Sequence, residues 1–142
     1  MAEGGTRNKV SYPGEGFWSE EKDGLHLIGS HCTKCGQNYF PPREICPECF
    51  AKGVEAKIEP IQLSSRGKLY SYSIVHVAPK RFNPPYGIGY VDFPEKVRVL
   101  GQLTTCDPKQ LKVDMEVQAE LGRIAVDEQG NEVQSYKFRP ID

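Results

Sequence analysis

The chain has 142 residues, with 18 Lys plus Arg against 19 Asp plus Glu and a formal net charge of −1. That is the length of about one domain, and the balance of charge argues against a dedicated nucleic-acid binder, which usually carries a basic excess. No apolar run approaches the roughly 20 residues that span a bilayer. The segment Met1 to Lys9 has no apolar stretch of the secretory-signal kind, so a cytoplasmic protein is expected. With 38% hydrophobic residues, 14 Gly and 11 Pro, a modest core of short strands and turns is favoured over long helices.

Residues 1–16 are polar and glycine-rich without periodicity and read as a flexible arm. Phe17 to Lys22 is expected to form a short helix ending at Gly24. Its two adjacent aromatics, Phe17 and Trp18, need a cover, from the domain's own surface or from a partner chain. Leu25 to Ile28 predicts a brief strand that leads into the first of two C-x2-C pairs.

Those pairs are Cys32/Cys35 and Cys46/Cys49, ten residues apart. A tight turn between two cysteines points both sulfurs the same way. Gly36 suits the left-handed backbone such a turn often requires, and Pro47 pre-sets a turn dihedral in the second. Four soft ligands in tetrahedral array are what Zn2+ prefers. Iron in a rubredoxin-like site uses the same ligand set and stays open. Disulfides fit poorly with a chain that shows no export signal. Four thiolates close the coordination sphere, so the metal reads as structural rather than catalytic. His26 and His31 lie nearby, and with four cysteines present they read as bystanders.

Tyr39 to Pro42 crosses between the two pairs. Beyond them, Val54, Ala56 and Ile58 alternate with charged residues, the mark of a strand with one wet face. Ser65 to Lys68 reads as a turn. Five strands then follow: Leu69 to Val77, Tyr86 to Phe93 (bent or closely approached at Gly87 and Gly89), Val97 to Leu103, Met115 to Val126 with an interruption at Gly122, and Val133 to Phe138 after a hairpin turn at Asp127 to Asn131. Five closely spaced strands with almost no helix predict a small closed barrel of the OB-fold kind. The expected fold is therefore mostly β: a short helix and zinc ribbon over 17–63, then a five-stranded OB-fold barrel over 64–142.

The order and spacing of several motifs resemble the acyl-CoA-associated OB-fold family that carries an N-terminal rubredoxin-like zinc ribbon. They are Cys32-x2-Cys35-Gly36, Tyr39 to Arg43, Cys46-Pro47-x-Cys49, Gly67 to Ser73, Pro85-Tyr86, Leu100 to Leu103, and Tyr136 to Pro140. The likeness covers about residues 17–140. It implies a non-catalytic subunit that docks on a thiolase-like large subunit, with a CoA thioester met only through that partner enzyme. One departure is Asp114, where the family often has Gly before the following Met. Asp tolerates unusual backbone angles better than most residues.

The chain's own residues offer little chemistry. Cys106 is the single cysteine outside the two pairs, in a turn between strands, with no glycine-rich helix start nearby to lower its pKa. His76 lies in a strand, and no third group orients a Cys106–His76 pair, so no catalytic residue is expected. The loop Lys80, Arg81, Phe82, Tyr86, stiffened by Pro84 and Pro85, offers cations for phosphates and rings for stacking. Arg43 shares that promise, and with Phe17 and Trp18 these are the candidate contacts to CoA or a partner. The competing reading is a single-strand nucleic-acid module, because Tyr70, Tyr72, Tyr86 and Tyr90 supply aromatics, although the charge excess that a basic groove needs is missing.

Overall fold

The computed structural model describes residues 9–11, 16–43, 46 and 58–141. These residues form ten strands and two single-turn 3-10 helices, in line with a mostly β chain. The strands are β1 (Lys9–Ser11), β2 (Trp18–Glu21), β3 (Gly24–Cys32), β4 (Asn38–Tyr39) and β5 (Ile58–Gln62), then β6 (Arg66–Val75), β7 (Tyr86–Asp92), β8 (Arg98–Leu103), β9 (Glu116–Val126) and β10 (Glu132–Pro140).

The last five close on themselves. β6, β7 and β8 pair antiparallel in sequence order, β8 pairs parallel with β10, and β9 joins β10 back to β6. This circuit is the five-stranded Greek-key barrel of the OB-fold, and closure removes the exposed edges a five-strand sheet would otherwise carry. Side chains alternate in and out along each strand. In β7, Gly87, Gly89 and Val91 are buried while Tyr90 is exposed. The interior is filled by Leu69, Val91, Val99, Leu103, Val117, Ala119 and Phe138. Gly87 is a glycine because a β-carbon there would stand 2.4 Å from the carbonyl oxygen of Thr105.

The N-terminal half packs on the barrel through β3. Its first residues pair with β2 and its later ones with β4 and β5. Leu25 and Leu27 of β3, with Leu63 just beyond β5, belong to the barrel's own core. A file of rings runs across the junction: Phe17 to Phe40 at 6.5 Å, Phe40 to Tyr136 at 5.6 Å, Tyr136 to Phe138 at 5.8 Å and Phe138 to Phe93 at 6.0 Å. The turn between β7 and β8 adds polar ties. The Glu95 carboxylate accepts from Ser64 N and Oγ, and its carbonyl accepts from Asn38 Nδ2 at 3.0 Å.

Three expectations are corrected. The helix expected at Phe17 to Lys22 is a β-hairpin arm: Trp18 to Glu21 pair antiparallel with Leu27 to Gly24, and Gly24 takes a φ of 136° at the turn. Six residues cannot repay the cost of helix nucleation, whereas the hairpin gives Trp18 a place against the core. Arg66 to Lys68 are not a turn but the start of β6, paired with Gln118 to Glu116. Gly67 signals close packing there, its missing β-carbon leaving room for Val91 at 2.6 Å. β9 runs without interruption through Gly122, over which the Lys137 stem lies.

The arm at 1–16 falls mostly outside the described residues. Lys9 to Ser11 within it pair parallel with Glu132 to Gln134 of β10. The strand expected around Val54 and Ala56 also lies outside them, and Ile58 opens β5. Asp114 adopts a φ of 72°, and its N–H donates to the Leu69 carbonyl at 2.7 Å, so the turn survives the loss of glycine.

Candidate functional site

The sulfurs of Cys32, Cys35 and Cys46 lie within 4.8 Å of one another, and those of Cys35 and Cys46 are 3.5 Å apart. Tetrahedral zinc with bonds of about 2.3 Å places sulfurs about 3.8 Å apart, so this donor set fits such an ion. The first knuckle has a definite construction. Gly36 N donates to the Cys32 carbonyl at 2.8 Å and Cys32 N to the Gln37 carbonyl at 2.9 Å, with Gly36 at a φ of 78°. That left-handed step turns the chain back after Cys35, as a side chain at this position would resist. The segment leading to the second pair is tied to β3, where Arg43 N donates to the buried Ser30 Oγ at 3.0 Å. Cys32 and Cys46 are fully buried and Cys35 is exposed. Tyr39 and Ile58 pack against the buried pair, and burial together with the thiols of Cys46 and Cys32 pushes the Tyr39 phenol above its usual pKa. Cys49, expected as the fourth ligand, lies outside the described residues.

Neither histidine joins this cluster. His26 Nδ1 is 2.6 Å from the Leu63 carbonyl and its Nε2 is 2.7 Å from Asp23 Oδ1. His31 Nδ1 is 2.6 Å from Asn38 Oδ1.

The other expected contacts separate into three places. Phe17 and Trp18 are half-buried against this chain's own Phe40 and core. Arg43 is exposed near Tyr39 and the cysteine cluster. Lys80, Arg81, Phe82 and Tyr86 come together at a hollow of about 460 Å³ on the barrel. Lys80 to Phe82 form a 3-10 turn, with Arg81 stacked on the Phe82 ring at 4.9 Å and Tyr86 6.4 Å from Phe82. Across the hollow stand three residues the sequence reading did not offer as contacts: Gln102, Arg123 and Lys137. Each sits on a barrel strand in an alternating pattern, where a polar residue ordinarily marks only a wet face. Burial, and then the Arg123 charge, push the Lys137 amine below its ordinary pKa, while its Nζ donates to the Arg123 carbonyl at 3.1 Å.

Cys106 is half-buried at the rim of the same hollow, and His76 is exposed outside it. Among the described residues, no histidine bonds to Cys106 and no helix is long and apolar enough to cross a membrane.

The same two-part build is found in known proteins. Residues 20–55 match the model of the ChsH2 rubredoxin-like zinc ribbon domain, and residues 60–122 that of the ChsH2 C-terminal OB-fold domain. A DUF35 domain-containing scaffold protein of Methanocaldococcus jannaschii is 43% identical over 128 residues, 88% of this chain and 89% of that one. The benzoylsuccinyl-CoA thiolase subunit BbsA of Thauera aromatica is 38% identical over 116 residues, 82% of this chain and 77% of that one. The fold also matches the solved structure of an Ltp2-ChsH2(DUF35) aldolase, with a TM-score of 0.61, 24% identity, and coverage of 81% of this chain and 84% of that one. Ribbon cysteines, closed barrel and sequence identity agree: the chain belongs to the DUF35 family of zinc-ribbon and OB-fold proteins.

Proposed function

We propose that this chain is a non-catalytic, zinc-clasped subunit that docks on a thiolase-type acyl-CoA enzyme and takes part in shaping its acyl-CoA site. The observation that carries the reading is the identity to a thiolase subunit over 82% of this chain, which spans ribbon and barrel alike. The described residues support it from the other side. A thiolase needs a cysteine nucleophile with an acid–base partner and an oxyanion hole. Among the described residues Cys106 has no histidine bonded to it as an acid–base partner, so in this reading the bond-making residues belong to the larger chain. In this reading Cys49 completes a four-cysteine structural zinc site. The narrower assignment, the small subunit of a benzoylsuccinyl-CoA thiolase from anaerobic toluene degradation, rests on that same relative. The Methanocaldococcus jannaschii relative is more similar and carries a scaffold name instead. We therefore propose the class of enzyme and leave its acyl group open.

A single-strand nucleic-acid role has less support. Tyr70 and Tyr90 are exposed on the outer barrel face, where Arg66 and Lys68 also point outward, but Arg98 is held by Asp92 at 2.6 Å and Asp114 and Glu116 share the surface, so its charge is mixed rather than basic.

The test is to co-express the tagged chain with a thiolase-type large subunit from the same genome, followed by affinity capture and size-exclusion chromatography. A stable complex, active only with both chains present and with the thiolase cysteine intact, is the expected result. A chain that elutes as a monomer beside an indifferent thiolase overturns the proposal, as does thioester turnover by the chain alone.

A further inference from the structure

Tyr39 carries its polar end the unusual way round. A tyrosine near a surface ordinarily lays its ring on the protein and keeps its hydroxyl in water. Here the residue is half-buried, yet its hydroxyl oxygen is cut off from solvent and has no hydrogen-bond partner. Among the described residues it is the one buried side-chain nitrogen or oxygen left in that state. A buried hydroxyl without a partner is destabilising, and native structures rarely keep one without a use. The backbone holds it there. Tyr39 of β4 pairs with Ser30 of β3. Gly29 lets the two strands close up, because a β-carbon there would stand 2.4 Å from the Tyr39 carbonyl oxygen. The ring then packs on Cys32 and Cys46, and the phenol feels the charges of the Cys46, Cys32 and Cys35 thiols and of the Arg43 guanidinium.

The cysteine cluster has a use for such a donor. Three thiolates on a divalent ion leave one negative charge over, and two of the three sulfurs, those of Cys32 and Cys46, belong to fully buried residues. Buried charge is unfavourable unless hydrogen bonds satisfy it. A thiol is a weak acceptor and a thiolate a strong one. A hydroxyl idle beside thiols therefore gains a charge-assisted partner when metal binding takes their protons. The neighbouring polar side chains are already engaged: Ser30 Oγ accepts from Arg43 N, and Asn38 spans His31 and the Glu95 carbonyl. The sulfurs of Cys35 and Cys46, 3.5 Å apart, also have to part to about 3.8 Å around zinc, so loading shifts them relative to the ring.

We propose that Tyr39 is a positioning residue of the metal centre, its hydroxyl donating a hydrogen bond to a thiolate of the buried pair, Cys32 and Cys46, once an ion holds them. The bond spreads the excess charge, makes that sulfur less nucleophilic and tightens the hold on the ion. Outer contacts of this kind are worth about ten- to a hundredfold in metal affinity. The inference depends on a metal at these cysteines and not on docking to a thiolase.

The test compares the full wild-type chain with two variants. Tyr39→Phe keeps the ring and drops one oxygen, while Ile58→Val trims the same apolar wall and leaves the hydroxyl. Each chain is loaded with zinc and titrated with a competing chelator, then loaded with Co2+ and its absorption recorded. Tyr39→Phe should hold zinc about tenfold more weakly, or worse. Its sulfur-to-cobalt charge-transfer band should move to longer wavelength, because a hydrogen bond lowers the energy of the sulfur lone pairs and its loss raises it. Ile58→Val should leave the band in place. Unchanged or tighter zinc binding by Tyr39→Phe overturns the proposal, since that follows if the hydroxyl stays unpartnered with the ion bound. Weaker binding with an unmoved band also overturns it, because the hydroxyl would then act through packing or a water and not on sulfur. An equal band shift in Ile58→Val does the same. A check that needs no variant is the wild type loaded with cadmium-113 and read by NMR. The Tyr39 hydroxyl proton should couple to the metal through sulfur, and a hydroxyl proton that exchanges freely with water overturns the proposal. Docking is measured separately: a chain that captures a thiolase but shows the unmoved band loses only the role of Tyr39.

Discussion

The two ends of β3 are held in different ways. At its start, Leu25 and Leu27 are buried in a continuous apolar core that they share with Leu63, Val117 and Phe138. At its finish, Cys32 is buried in a far smaller cluster, with Cys46 and the flanks of Tyr39 and Ile58. The first environment stabilises itself by removing apolar surface from water. The second has little such surface among the described residues, and its thiolates are the groups an ion would gather. One nine-residue strand thus crosses from a region that folds by burial to one that folds by coordination.

Removing the metal is the strongest way to separate the two. Structural zinc contributes about 10–16 kcal/mol in small peptides, and here that energy is spent locally. A strong chelator, or Cys46→Ser, should release the ion and expose the amides around His31, Cys32 and Tyr39 to rapid hydrogen exchange. The amides of Val91, Leu103 and Phe138 should stay protected. If barrel and ribbon lose protection together, the two regions are one cooperative unit and the contrast fails.

A core cut should do the reverse. Phe138 is fully buried and touches both Phe93 and Tyr136. Phe138→Ala should cost about 3–5 kcal/mol in denaturant unfolding, with one metal ion per chain retained under native conditions. A gentler probe is Gly101→Ala. Its new β-carbon would fall 2.7 Å from the Phe138 ring and 2.8 Å from the Tyr136 ring. Overpacking of this kind costs about 1–3 kcal/mol, and an unchanged unfolding midpoint would mean the ring file can shift to admit it.

The same contrast explains what could be read from the residues in advance. Alternating apolar residues place four of the barrel strands within a residue or two, while the first starts three residues earlier than expected, because a strand with one buried face must alternate. Cys32, Cys35 and Cys46 likewise announce their cluster, since thiolates at that spacing have few other uses. Signals with two meanings mislead. Adjacent Phe17 and Trp18 beside charges resemble a helix, and only the partner strand, Gly24 to Leu27, makes them a hairpin. Gly67 resembles a turn, and only its neighbour Val91 makes it a packing glycine. The loop half of the cationic hollow is legible as a basic, aromatic run. Its other half is not, because Arg123 and Lys137 are 14 positions apart and meet through the pairing of β9 with β10.

The smallest effect concerns the seam between the two regions, and pH should reveal it. His26 is set between two acceptors, the Leu63 carbonyl and Asp23 Oδ1, and both contacts are made only when both ring nitrogens carry protons. Burial lowers its pKa, but the hydrogen bonds to Asp23 and Leu63 and the nearby Asp23 and Glu21 charges outweigh burial, so the net shift is upward from 6.5. A raised histidine pKa stabilises the fold fully below the unfolded value of 6.5, and that stabilisation fades as pH rises through the folded value. The Asp23 carboxylate, held below its usual 3.8 chiefly by its hydrogen bond to His26, keeps its side of the same contact until pH falls through its own lowered value. The seam should therefore be tightest between about pH 4 and 6.5. Unfolding midpoints of the wild type, compared with those of His26→Gln, should show an advantage at pH 5.5 that shrinks by pH 8.5. A difference between the two proteins that stays constant over this range would mean the ring acts by packing alone, with no part for its proton.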